Sequence, residues 1–231
     1  LLAVQQLLKS TIGKNKELPR DLSILVGNVE AAKEKKRFLS HQLDFNRIWT
    51  DCGTHPQEIW AHQVYLEMKK RDIFAAMDVH NNTGKNPYYS CLNHLDLKSI
   101  QFAAMFDTDI LYFTHPKDVF SNFFSNLCPA VTLESGLSED PLGVAKVVKF
   151  AKEILRLDKI GDFKGNLANR KIYRSFGKVK VPEGSKISFG NSDAEKGDFN
   201  FSENIEDLNF HQLKKGDLFG EFFDSRKSLE I

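Results

Sequence analysis

A histidine and a glutamate, each placed after an apolar run, are the residues whose type and position could do chemistry. His80 follows the apolar residues 73–77 and precedes a stretch of turn-forming residues. Glu134 follows the apolar residues 130–133 and precedes a glycine turn. Ligands bind at the carboxyl ends of strands in open α/β sheets, so we expect both side chains to reach the same sheet edge.

An imidazole and a carboxylate at one sheet edge can bind a metal ion and activate water. One ring nitrogen of His80 could bind the metal while the other is held by a neighbour, for which Asp78 or a backbone carbonyl is available. Glu134 could serve as a general base. Taken alone, each residue has a simpler interpretation as a structural residue at a strand end. The pattern as a whole favours a metal-centred active site.

A second polar group lies earlier in the chain, inside apolar surroundings. Asp44, Asn46 and Arg47 fall within four residues and are flanked by Phe45 and by Ile48. Arg47 could hold a carboxylate through two parallel hydrogen bonds, and Asn46 could supply a neutral donor and acceptor. The alternative role is a structural salt bridge.

Composition limits the class of protein. The 231 residues are 41% hydrophobic and 27% charged, which is enough for one large or two modest domains. A formal charge of +1 gives no reason to expect a nucleic-acid or membrane partner. The cysteines are widely spaced without CxxC pairs, and no apolar run approaches the roughly 20 residues that span a bilayer. A cytoplasmic protein is expected.

The elements that must position these side chains follow an α/β pattern. Periodicity predicts helices over 1–9, 56–70, 95–106 and 141–157, and strands over 22–26, 73–80, 110–113 and 130–134. The helix 56–70 would join the strand 22–26 and the strand that ends at His80 into a βαβ unit. We therefore expect an α/β fold with a mixed, mostly parallel sheet flanked by helices.

The amino-acid pattern of the chain changes after the predicted helix 141–157. Residues 161–170 read as a linker, and beyond them short phenylalanine-rich runs are cut by glycine and aspartate. Such runs are typical of a small β domain with tight turns. We expect a catalytic domain over residues 1–160 and a C-terminal β domain over residues 161–231.

Several short motifs occur together in a recognisable order. They are Gly27-Asn28, Arg37, Asp44-Phe45-Asn46-Arg47, Asp78-Val79-His80-Asn81 and Glu134-Ser135-Gly136. This ordered set resembles the succinylglutamate desuccinylase/aspartoacylase family, which comprises zinc-dependent deacylases related to the M14 carboxypeptidases. The tail from Tyr173 to Leu218 is similar to the C-terminal β domain of that family, so the resemblance spans most of the chain. It implies a zinc carboxypeptidase-like fold.

The resemblance assigns roles on the metal side of the site. It implies that His80 is a ligand of Zn²⁺ and that Glu134 is the general base for the attacking water. Asp78 and Asn81 would contact the histidine and orient its ring without binding the metal themselves. Zinc is the implied cofactor.

On the substrate side, the resemblance implies that Arg37 polarises the scissile carbonyl and that Asn46 and Arg47 contact the substrate. A carboxylate held by Arg47 makes an N-acyl amino acid or a similar small amide the expected substrate. Phenylalanines stand between His115 and Asn126, where relatives have further substrate contacts. The sequence therefore leaves the acyl group open.

One part of the family pattern has no counterpart. Relatives supply two further zinc ligands from an HxxE motif before the first helix, and no such motif precedes Leu1. We expect that the strand and loop carrying it, and part of the β domain after Ile231, are missing from this sequence. A zinc deacylase, a carboxypeptidase-like peptide hydrolase and a non-catalytic binding relative all stay open, as does oligomerisation.

Overall fold

The chain folds into two compact units. The computed structural model describes residues 1–11, 17–51, 53–162, 167–190, 197–222 and 228–230. One unit comprises Leu1–Asn81 and Tyr88–Ser175, and the other comprises Asn82–Pro87 and Phe176–Ile231. Residues 161–175 thus group with the first unit. The expected domain division after residue 160 stays a prediction.

The first unit alternates helices with strands. The helices are α1 (Leu2–Thr11), α2 (Val29–Lys33), α3 (Pro56–Lys69), α4 (Leu97–Ala104), α5 (Phe120–Phe124) and α6 (Pro141–Arg156). The strands are β1 (Ala76–Asn82), β2 (Tyr89–Leu92), β3 (Asp109–Tyr112), β4 (Ala130–Leu137) and β5 (Lys171–Arg174). Short 3₁₀ segments cover Phe45–Arg47, Ile160–Asp162 and Leu167–Asn169. No described helix is long and apolar enough to cross a membrane.

These strands form one mixed sheet in the order β1-β4-β2-β3-β5. Strand β2 runs parallel to β3, and β3 runs parallel to β5. Strand β4 runs antiparallel to β2, with Tyr89 opposite Glu134. The expected α/β fold, with a mostly parallel sheet flanked by helices, is confirmed.

The helix α6 shows how local sequence fixes an element. Asp140 caps its first turn by accepting a hydrogen bond from the Leu142 amide, and Pro141 occupies the first helical position. Its apolar stripe, which includes Phe150 and Leu155, is buried. The predictions for α3 and α6 are confirmed within a residue of their observed ends.

Two hydrophobic clusters cover the sheet. One includes Leu133, with Phe102 and Phe150 in ring contact at 5.3 Å between centroids. The other gathers the aromatic residues of α3 and α5 and includes Ala130. Because successive strand residues point to opposite faces, even-numbered residues of β4 face the second cluster and odd-numbered residues face the first.

The structure corrects the prediction of a strand over residues 22–26. These residues form no strand, and Ile24, Leu25 and Val26 are 41%, 46% and 41% exposed. An apolar run becomes a strand only when a neighbouring strand pairs with it, and none of the described strands does so. The predicted βαβ unit through α3 is therefore wrong.

The bounds of β1 also differ from the prediction. The strand starts at Ala76 rather than at residue 73 and runs to Asn82, so His80 lies inside the strand rather than at its carboxyl end. Pairing sets these bounds, since the Ala76 amide already bonds the Pro129 carbonyl beside β4. Glu134 likewise lies inside β4.

Two cysteines belong to the core of the first unit. Cys91 and Cys128 are buried and form no disulfide, whereas Cys52 lies outside the described residues. Burial raises the pKa of both thiols, which keeps them in the unreactive protonated form.

The second unit is a small sheet of strands β6 (Ile187–Phe189), β7 (Phe199–Phe201), β8 (Leu218–Phe222) and β9 (Ser228–Glu230), in that order. Its core is aromatic, with Phe199 fully buried between Phe201 and Phe222. The segment Asn82–Pro87 joins this unit, where Lys85 pairs with Asp207 at 2.6 Å. A small β unit follows the main sheet, as the sequence indicated.

A glycine at the contact of α6 with β4 allows a direct test of this packing. A Cβ at Gly143 would lie 1.8 Å from the Ser135 carbonyl oxygen. We expect Gly143→Ala to lower the free energy of unfolding by about 1–3 kcal/mol, because the helix must shift. Gly161→Ala is the control, since a Cβ there meets nothing within 4 Å. Urea unfolding measures both, and equal stabilities would contradict the expectation.

Candidate active site

His80 and Glu134 lie side by side on the adjacent strands β1 and β4. Nδ1 of His80 is 3.6 Å from Oε1 of Glu134, and their side chains are 26% and 15% exposed. On the other side of the ring, Nε2 is 2.9 Å from Oδ2 of Asp78. Asp78 and His80 are two residues apart on one strand, so both point to the same face. The structure brings three of the predicted site residues together.

Charge balances within this group. Burial lowers the pKa of His80, but the hydrogen bonds and charges of Asp78 and Glu134 outweigh it and raise the pKa to about 10. The position of the ring between the two carboxylates therefore favours the protonated form of the imidazole.

Each residue of the Glu134-Ser135-Gly136 motif has its own contact. The Ser135 hydroxyl donates a hydrogen bond of 2.6 Å to the backbone carbonyl of His80. Gly136 has a φ of +83°, and a Cβ there would lie 2.8 Å from the Tyr88 ring, so glycine is required. The motif thus combines a site carboxylate, a bond between strands and a glycine with positive φ inside β4, so the glycine turn predicted here is wrong.

Tyr89 belongs to the site although the sequence did not single it out. It stands directly opposite Glu134 in the antiparallel pair of β2 and β4, so the two side chains share a face. Burial raises the pKa of Tyr89, and the charge of Glu134 raises it further. Only the long-range pairing of β2 with β4 reveals this neighbour.

A buried polar chain anchors the same face of β4. Thr132 donates to the hydroxyl of Ser121 on α5 at 3.1 Å, and Ser121 donates to Asn93 at 2.8 Å. Asn93 in turn donates to the Phe113 carbonyl at 3.1 Å. Since buried polar networks are costly when incomplete, these bonds hold α5 and β4 in one arrangement beside Glu134.

The second predicted group forms a cluster around Asp44. Arg37 donates to Oδ2 of Asp44 from Nε and Nη2, at 3.1 and 2.8 Å. The other carboxylate oxygen of Asp44 accepts a hydrogen bond from the backbone N–H of Asn46 at 3.0 Å. The Arg47 guanidinium donates to the backbone carbonyl of Asn46 at 2.6 Å. The salt bridge in this segment is therefore formed by Arg37, while Arg47 bonds the backbone carbonyl of the preceding residue.

Asn81 occupies the other side of its strand. It follows His80 directly, so its side chain points to the opposite face and is exposed. The described hydrogen bonds include none between Asn81 and the histidine. Its supporting role stays a prediction.

The described residues do not complete a catalytic zinc site. Such sites normally use three protein ligands and leave one position open for water. In the described ranges, no group of three or more His, Cys, Asp or Glu side chains is placed to hold a metal ion. Among Asp78, His80 and Glu134, only His80 offers an imidazole, and both of its ring nitrogens face carboxylates.

The Asp44 cluster predicts a pH-dependent stability. Burial raises the pKa of Asp44, but hydrogen bonds from Arg37 and the Asn46 amide outweigh it, so the pKa lies below its usual value. The folded state therefore gains stability above the ordinary pKa, and that gain is lost as the pH falls through the lowered one. We expect Asp44→Asn to cost about 0.5–1 kcal/mol near neutral pH and less in acid.

Urea unfolding at several pH values measures this difference, with the exposed Asp72→Asn as control. A cost that does not change with pH would contradict the assignment.

Comparison with known proteins shows which solved structures share this fold. No family model matches the chain, and no curated protein sequence is significantly similar to it. Among solved structures, succinylglutamate desuccinylase from Chromobacterium violaceum superposes with a TM-score of 0.63 and 15% identity, covering 78% of this chain and 67% of that one. The succinylglutamate desuccinylase from Vibrio parahaemolyticus gives 0.62 and 16%, covering 99% and 70%.

Murine aminoacylase 3 superposes with a TM-score of 0.60 and 14% identity, covering 99% of this chain and 80% of that one. The similarity thus extends over both units of the chain. At the level of the fold, it confirms the resemblance that the sequence motifs indicated. The chain has the fold shared by succinylglutamate desuccinylases and aminoacylase 3.

Proposed function

We propose that this protein is a hydrolase that cleaves the amide bond of an N-acyl amino acid or a similar small amide. The observation that carries the proposal is the pairing of His80 with Glu134 inside the main sheet of a desuccinylase-like fold. An imidazole, two carboxylates and a tyrosine meet there on one face. That concentration of ionisable groups is what hydrolytic chemistry needs.

Glu134 is the proposed general base. Its carboxylate is largely shielded from water and lies against His80, which holds it in place. Taking a proton from an attacking water molecule would make that water the nucleophile at the amide carbon, and the same carboxyl could return the proton to the leaving amine. Tyr89, on the same face, is placed to contact the substrate near this carboxylate.

The Asp44 cluster is the proposed substrate side. Arg37 would donate to the scissile carbonyl oxygen, and Arg47 with Asn46 would hold the substrate carboxylate. Both guanidinium groups are bonded within the protein in this structure. On substrate binding, each guanidinium group would give up its acceptor in the protein for one on the substrate. A negatively charged ligand competes better for the guanidinium group than a neutral one does.

Zinc is the proposed cofactor on the basis of the family resemblance. His80 would be its imidazole ligand, and zinc would supply a polarised water when bound. The described residues offer no complete ligand set, so the roles derived above are those of the chain itself. The proposed catalytic domain covers residues 1–160 and the proposed β domain covers residues 161–231.

A second candidate is a binding relative that uses the same cleft without catalysis. The contacts of both His80 ring nitrogens with carboxylates, which occupy the atoms that a metal would need, favour it. In that case the Asp44 cluster would hold a carboxylate ligand and Glu134 would have no chemical role. The two candidates differ in turnover rather than in binding.

Substitution of the proposed base separates the two candidates. We expect the unmodified protein to hydrolyse N-succinylglutamate or N-acetyl amino acids in preference to short peptides. Glu134→Gln should lower kcat about 10²–10⁴-fold with little change in KM, because the base is removed and the shape is kept. Glu153→Gln, on the surface of α6, is the control. Turnover that survives in Glu134→Gln would exclude the proposed mechanism, and binding without turnover in the unmodified protein would favour the second candidate.

Metal binding has its own test. We expect His80→Ala to lower the affinity for Zn²⁺ about tenfold or more, because His80 is the proposed imidazole ligand. The exposed His41, whose side chain is 70% accessible, supplies the control His41→Ala. Equilibrium dialysis followed by metal analysis measures both. Equal zinc retention in the two variants would remove His80 from the metal site.

A further inference from the structure

We propose that Ser135 is a positioning residue that sets the place of His80 relative to Glu134. Its hydroxyl donates to the backbone carbonyl of His80 at 2.6 Å, while the adjacent Glu134 meets the ring of the same histidine at 3.6 Å. Two consecutive residues of β4 therefore hold the backbone and the side chain of one residue of β1. The inference rests on the proposed function for its catalytic consequence, though not for the geometry.

Strand β1 needs such a link because of its place in the sheet. It stands at the end of the order β1-β4-β2-β3-β5, so β4 is its one strand neighbour in the part of the chain that the structure describes. An edge strand has one row of ladder bonds and shifts more readily than a central strand. The hydroxyl of Ser135 adds a bond at the residue whose position matters.

Ser135 is itself held from the other side. Its carbonyl oxygen lies against Gly143 of α6, where a Cβ would come within 1.8 Å. The next residue, Gly136, is enclosed by Tyr88 and Asp140, whose side chains would lie 2.8 and 2.7 Å from a Cβ there. The Tyr88 hydroxyl donates to Asp140 at 2.6 Å, which closes this enclosure. Because these contacts restrain Ser135, its hydrogen bond to the His80 carbonyl restrains the position of His80.

Loss of the hydroxyl should act on the reaction more than on stability. Ser135→Ala removes one partly exposed hydrogen bond, which is a small part of the stability of the fold. A displacement of His80 by about 1 Å, however, can reduce a reaction rate about 10²-fold. The expected signature is a fall in kcat with KM preserved.

The test uses the whole chain and three variants. Ser135→Ala removes the hydroxyl, and Ser135→Thr keeps one. Ser90→Ala is the matched control, because Ser90 also donates to a backbone carbonyl, that of Ala103 at 3.0 Å, in the same sheet but toward α4. Measurements are kcat and KM for N-acyl amino acids, the NMR chemical shifts of the His80 ring, and urea unfolding.

We expect Ser135→Ala to lower kcat at least about tenfold and to move the His80 ring resonances. Ser135→Thr should restore both, and Ser90→Ala should leave both unchanged. Unmoved ring resonances in Ser135→Ala would overturn the positioning role, whatever the activity. If the unmodified protein shows no turnover while the resonances move only in Ser135→Ala, the proposed function fails and the positioning role stands.

Discussion

An imidazole held between two carboxylates is the interaction on which the rest of the site depends. Removing a charge from water costs several kcal/mol, and only close partners of opposite sign offset that cost. His80 has Asp78 on its own strand and Glu134 on the next, so the second of these contacts exists only while β1 and β4 lie side by side. The electrostatics of one side chain thus requires a particular arrangement of strands.

The architecture meets that requirement through β4. This strand lies between β1 and β2, so Glu134 has His80 on one side and Tyr89 on the other. Val131 and Leu133 enter the core that α6 covers, and Thr132 carries a hydroxyl toward α5. Burial on one face therefore supplies the rigidity that the polar face needs. The glycines at 136 and 143 let α6 approach closely enough to hold the strand in place.

The two polar groups of the first unit differ in what they are ready to do. The group around His80 combines a half-buried imidazole with two carboxylates, which suits proton transfer. In the group around Asp44, the guanidinium groups of Arg37 and Arg47 bond acceptors within the protein. An anionic ligand could replace these acceptors. A hydrolase for N-acyl amino acids would use both groups. A binding protein would use only the second, and the same fold accommodates either because function resides in the site.

The sequence by itself determined the elements whose signals are local. The helices α3 and α6 follow from periodicity, capping and proline, and the start of β4 follows from an apolar run, although the strand continues through Gly136 to Leu137. The ordered motifs also indicated His80, Asp78 and Glu134, which meet in space, while the roles assigned to them stay predictions.

Only the tertiary structure decided which strands pair and in what register. Residues 22–26 have the composition of a strand but stay irregular and exposed, and β1 takes its bounds from β4 rather than from its apolar run. The same long-range pairing brings Tyr89 opposite Glu134 and the Ser135 hydroxyl to His80. Helical signals lie within a few neighbouring residues, whereas a strand is completed by a partner far away in the chain, and no local pattern specifies that partner.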